Sequence, residues 1–107
     1  MTDRELLELA AKAAGLRFEW KPHPAIRESG IGWVEWNPLT DDGDALRLAV
    51  KLRLTLSWDR YYDKDYATAT PPCTYQGYDC VVDQDPYAAT RRAIVRAAAE
   101  IGKALSW

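Results

Sequence analysis

Asp41, Asp42 and Asp44 around Gly43, and Asp59, Asp63 and Asp65 further on, are the residues whose types and spacing come nearest to chemistry. Clustered carboxylates invite a hard cation such as calcium. A loop of the EF-hand kind, however, needs alternating oxygen ligands, a glycine at its sixth place and a closing glutamate. Neither run keeps that register, so the first reads as the start of a helix and the second as a solvated loop. Cys73 and Cys80 have no second pair to complete a zinc site, and in a reducing cytosol both are expected as free thiols. His23, the single histidine, stands between Pro22 and Pro24, far upstream of either thiol. No phosphate-cradling glycine loop is present, and no Ser-His-Asp or Cys-His arrangement places a base near a nucleophile. The residues therefore predict no catalytic group, no metal and no cofactor, and the chain is expected not to be an enzyme.

The aromatic residues are more informative. Five Trp and six Tyr stand against one Phe, a composition tilted toward rings with polar handles. Phe18, Trp20, Trp33, Trp36 and Trp58 fall on alternating, strand-like runs and are expected in the core. Tyr61, Tyr62, Tyr66, Tyr75 and Tyr78 lie instead in or beside an irregular stretch with Asp59, Asp63, Asp65 and Asp79. Tyrosines in such a loop are available to a partner, so this stretch is the expected binding face.

Charge is sorted along the chain. Asp59, Asp63, Asp65, Asp79, Asp83 and Asp85 outweigh Arg60 and Lys64, whereas Arg91, Arg92, Arg96 and Lys103 outweigh Glu100. A helix dipole accounts for acid before the last helix and for Lys103 near its end, but not for Arg91 and Arg92 close to its start. Those two arginines are expected either to pair with the acidic loop or to meet an anionic partner.

A chain of 107 residues suffices for one domain with one core. A net charge of −2 with 28% charged residues does not suit a protein that wraps nucleic acid. No apolar run is long enough to span a bilayer, and Met1-Thr2-Asp3-Arg4-Glu5 is charged unlike a secretory signal, so no membrane and a cytoplasmic address are expected. Thr2 and Glu5 form a capping box that opens a helix over 3–14, ended at Gly15. Strands are expected over 17–21 and 31–36, joined by a polar connection at 25–30. Asn37-Pro38 stops the second strand, and Thr40, Asp41 and Asp42 can cap a helix over 41–51.

Residues 46–58 also alternate with period two, so helix and strand compete there. Ala45, Leu46, Ala49 and Val50 favour helix first; Leu52, Leu54, Leu56 and Trp58 then favour strand over 52–58. Residues 59–72 read as a long loop or a loose hairpin, and 78–82 as a further strand. Asp85-Pro86 starts a helix over 86–104 with Tyr87, Ile94, Ala98, Ile101 and Leu105 on its buried stripe. The fold predicted is a single α+β domain of about three helices around a mainly antiparallel sheet of about four strands.

Two stretches, Trp36-Asn37-Pro38-Leu39 with 41–52, and 85–100 beginning Asp85-Pro86-Tyr87, resemble the phage-encoded ABA-sandwich family. The resemblance implies α-β-α layering and a bacterial host cytoplasm, infected or carrying a prophage, and it carries over no activity and no catalytic residues. The function expected is that of a phage or prophage accessory protein that binds a host or phage protein. Two other readings are a small-ligand carrier and an acidic mimic of DNA built on 59–65 with Asp79, Asp83 and Asp85. Direct nucleic-acid binding would rest on Arg91, Arg92 and Arg96, possibly with Arg53, and ranks below these.

Overall fold

The computed structural model, which describes residues 1–72, 74 and 76–105, opens on the capping box that Thr2 and Glu5 encode. The Glu5 amide donates to Thr2 Oγ1 at 3.2 Å, and the Glu5 carboxylate accepts from the Thr2 amide at 3.3 Å. Helix α1 (Asp3–Ala13) follows and ends where Gly15 turns left-handed at φ +68°.

Three short antiparallel strands come next: β1 (Phe18–Trp20), β2 (Pro24–Glu28) and β3 (Gly32–Glu35), with β2 in the middle. Phe18, Ile26 and Val34 stand in register across them. The polar connection expected at 25–30 is therefore mostly strand. Arg27, Glu28 and Ser29 conceal it in the sequence, while Ala25 and Ile26 are buried, and Pro24 is tolerated because it is the strand's first residue.

Asn37 and Pro38 then turn the chain into α2 (Asp42–Leu52). Asp41 caps it by accepting from the Asp44 amide at 2.8 Å. The competition between helix and strand over 46–58 resolves as a helix followed by a strand, divided by Arg53 in the left-handed region at φ 55°. Strand β4 (Thr55–Tyr61) thus starts later than 52 and runs past 58. A two-residue turn at Tyr62 and Asp63 leads into β5 (Lys64–Thr70), so 59–72 is mainly a regular hairpin rather than a loop. Its Ala-Thr alternation is a period-two pattern: Ala67 and Ala69 are buried, and Thr68 and Thr70 face the other way. Strand β6 (Tyr78–Val82) completes the second sheet in the order β4-β5-β6. Asp85 caps α3 (Pro86–Ala104) by accepting from the Tyr87 and Ala88 amides.

Helix α3 organises the packing. Helices α1 and α2 both lie against it, and so do β5 and β6. Its small residues make close approach possible: Ala93, Ala97, Ala98 and Ala99 are fully covered, and Gly102 meets the α1 backbone at Leu9. The fold is thus α+β; among the described residues it has three helices and six strands, the strands forming two sheets of three where about four strands in one sheet were expected.

Burial corrects several further expectations. On α2 the covered residues are Ala45, Leu48 and Ala49, leaving Leu46 58% and Val50 68% exposed. Trp36 is buried and meets Phe18 edge-on at 5.8 Å, and Phe18 in turn meets Trp20 at 5.3 Å. Trp58 is 59% exposed because β4 is an edge strand, and Tyr87 is exposed at the start of α3 rather than part of its buried stripe.

Candidate binding surface

Alternation along the second hairpin sorts the tyrosines and aspartates of 59–82 between two faces. Asp59 stands opposite Tyr66 and Tyr66 opposite Val81, so these three share the face turned away from α3. Tyr61 and Asp79 lie on the same face by the same register. The Tyr61 and Tyr66 rings meet edge to face at 6.5 Å and 78°, a packing that fixes both on the open surface. Tyr62 stands at the turn with its side chain 96% exposed and its backbone at φ 57°. Asp63 is beside it. Asp59, Tyr61, Tyr62, Asp63 and Tyr66 therefore form one aromatic and acidic surface at the tip and outer face of the hairpin.

The other candidates go elsewhere. Asp65 lies on the opposite face and pairs with Arg60 at 3.4 Å. Tyr78, opposite Ala69, faces the helices and packs against the core. Arg91 donates through Nε to the Leu39 carbonyl at 2.9 Å and pairs with Asp42 at 2.6 Å. Arg92 holds Asp3 with two bonds, 3.0 and 3.3 Å, and Arg96 donates to the Asp79 carbonyl. Arg91 and Arg92 thus tie α3 to α2 and α1, and neither is paired with the acids of the hairpin. Tyr75 and Cys73 lie outside the described residues; Cys80 is half-buried on the helix-facing side.

A second concavity went unread in the sequence. A polar cavity of about 540 Å³ is lined by His23, Glu35, Asp41, Asp44 and Arg47, with Trp36 among its walls. The turn at Asn37 and Pro38 brings its two sides together, joining residues too far apart in sequence for any spacing to flag. Two of its carboxylates, Asp41 and Asp44, already have structural work. Asp44 accepts from the Asn37 amide at 3.0 Å and from Arg47 at 2.7 Å, and Asp41 caps α2. The hydrogen bond from Arg47 to Asp44 pushes the guanidinium pKa still higher, helped by the charges of Asp44 and Asp41. Arg47 is consequently a fixed cation and not a proton donor in catalysis. Among the described residues no three His, Cys, Asp or Glu side chains converge where a metal ion could sit, and no helix is long and apolar enough to cross a membrane.

No protein-family model matches the chain, and neither a curated protein nor a solved structure matches it.

Proposed function

We propose that the chain is a non-enzymatic phage or prophage accessory protein that binds another protein in the bacterial cytoplasm through the tip and outer face of the β4–β5 hairpin. One observation carries this reading: Tyr62 combines almost complete exposure with a left-handed backbone. A bulky residue there costs about 1–2 kcal/mol relative to an ordinary conformation, and its ring buries nothing within the chain. Tyr61 and Tyr66 beside it supply rigid amphipathic area, and Asp59, Asp63 and Asp79 outweigh Lys64, which lies opposite Tyr61, giving the surface a negative cast suited to a basic partner. The resemblance of 36–52 and 85–100 to the phage-encoded ABA-sandwich family supports the phage setting.

Affinity capture from bacterial lysate, with the wild type and Tyr61→Ser/Tyr62→Gly as parallel baits, tests the reading. A protein retained by the first and lost from the second supports it; identical recovery with both, or no recovery, contradicts it. The polar cavity around His23 and Arg47 favours a second reading, a small-ligand carrier. That reading gains if a metabolite copurifies with the wild type and is lost on Arg47→Ala while no protein is captured.

A further inference from the structure

Strand β4 ends its sheet before the helices beneath it end. Helix α3 packs under β5 and β6, and α2 packs beside α3, so α2 extends into a region that the three strands leave uncovered. Leu46 on α2 faces that region exposed. Between it and β4 runs a groove of about 510 Å³ walled by Ala45, Leu46, Leu56, Trp58, Tyr87 and Ile94. Its lining is apolar except at Thr90, whose hydroxyl already bonds the Trp58 indole and the Pro86 carbonyl, and where Asp42 and Arg91 neutralise each other at the rim. A cation or an anion would gain nothing by entering.

The strand bordering this groove has free backbone groups. The two-residue turn makes Tyr61 and Lys64 a hydrogen-bonded pair, so alternation turns the N–H and C=O groups of Leu56, Trp58 and Arg60 away from β5. Among the described residues no backbone group bonds to that edge. The opposite edge differs, because Arg96 donates to the Asp79 carbonyl on β6. Among the described residues β4 carries no proline or bulge; of the devices that blunt an edge it has only the charges of Asp59 and Arg60, and α3 reaches it through the Trp58 indole, which donates to Thr90 Oγ1 at 2.8 Å.

We propose that β4 pairs antiparallel with β4 of a second copy of this chain about a twofold axis at Trp58, joining two three-stranded sheets into one of six. The sequence of the strand selects this occupant and this register. With Trp58 opposite Trp58, Asp59 faces Ser57, Arg60 faces Leu56 and Tyr61 faces Thr55, so no like charges meet. An axis at Asp59 or at Arg60 sets two identical charges against each other, which disfavours pairing. Trp58 also belongs to the outward-turned set, so the two tryptophans exchange both backbone bonds. On the helix-facing side, Leu56 and Trp58 of each copy then cover the groove and Leu46 of the other. The same patch serves both chains, as a twofold interface requires. The pairing uses the backbone of β4 and leaves the side chains of Asp59 and Tyr61 on the face turned away from α3, so dimerisation would place two such faces on one continuous sheet.

Sedimentation and cysteine pairing test the proposal together. The wild type should sediment at twice the chain's mass, and Trp58→Lys and Leu46→Glu should each sediment as monomers with unchanged circular dichroism. In a Cys73→Ala/Cys80→Ala background, Ser57→Cys mixed with Asp59→Cys should form a disulfide-linked pair under mild oxidation, because those positions face each other at a non-hydrogen-bonded site with Cα atoms about 4.5 Å apart. Neither variant should link to itself. A monomeric wild type overturns the proposal, as does a dimer that survives both charge substitutions. Self-linking of Ser57→Cys overturns the register, and so does failure of the mixture to link. Capture of a foreign extended peptide by a monomeric wild type would reassign the edge to another occupant and overturn the proposal as well.

Discussion

Arg91 and Asp42 stand 2.6 Å apart, and the same guanidinium reaches the Leu39 carbonyl at 2.9 Å, so one side chain of α3 fastens both the start of α2 and the turn before it. Arg91 is only 16% exposed, whereas Asp42 is 68% exposed. The two ends of this pair should therefore respond unequally. Arg91→Ala strands a half-buried carbonyl and should cost about 2 kcal/mol. Asp42→Ala removes a mostly solvated partner and should cost less than about 1 kcal/mol. Urea denaturation of both variants checks the asymmetry.

Tyr62 should be replaceable at a gain. Tyr62→Gly relieves a left-handed backbone worth about 1–2 kcal/mol, offset by the greater freedom of glycine in the unfolded chain, about 0.5–1 kcal/mol. A net rise in stability of up to about 1.5 kcal/mol is expected, together with loss of partner binding. A variant that becomes less stable would show that the ring contributes to folding and would weaken the case for a binding role.

Gly102 reverses the usual helix rule. Alanine is the better helix former by about 1 kcal/mol, yet a Cβ at this position would fall 2.0 Å from the Leu9 carbonyl oxygen. The obstacle is backbone, which can yield only if α1 and α3 move apart. Gly102→Ala should lose about 1–3 kcal/mol in spite of its propensity, read as a lower midpoint in thermal or urea unfolding.

How much of this was legible in the sequence depended on whether the signal was local. Thr2 and Glu5, Asp41, and Asp85 with Pro86 announce helix starts through caps that act within three residues, and all three helices begin where those residues place them. β2 was hidden because its outward residues Arg27 and Glu28 look like a loop, and Ile26 is recognisable only once Phe18 and Val34 flank it. β5 is ambiguous between loop and hairpin in the sequence because alanine is a poor strand former in isolation; Ala67 and Ala69 are suited to their places by the nearness of α3, which is a tertiary fact. Trp58 reads as a core residue in the sequence because hydrophobicity does not report whether a sheet is wide enough to cover it. For the candidate surface, the residue types of Tyr61, Tyr62 and Tyr66 were visible, but their division from Tyr78 and Asp65 needed the hairpin register. The cavity at His23 and Arg47 depends on the turn at Pro38 and has no signature in spacing.

The capping box predicts how α1 responds to acid. Hydrogen bonds from the Thr2 backbone amide, first, and from its side chain hold the Glu5 pKa below its ordinary value of 4.5. A depressed carboxylate stabilises the folded state above its unfolded pKa and loses that contribution as pH falls through the folded pKa. Stability should accordingly fall as the pH drops below 4.5, and Glu5→Gln should flatten that part of the profile. At neutral pH Thr2→Ala should cost about 1 kcal/mol through loss of the cap. Thermal melts of the three proteins from neutral pH to acid give the comparison.

The claim that the hairpin tip meets a protein partner is tested most directly by a photoreactive phenylalanine analogue incorporated at Tyr62 in bacterial cells, with Glu19 on β1 as the control position. The account predicts a crosslinked adduct to a defined protein from position 62 and none from position 19. Absence of any adduct at 62, or the same adducts from both positions, would contradict it.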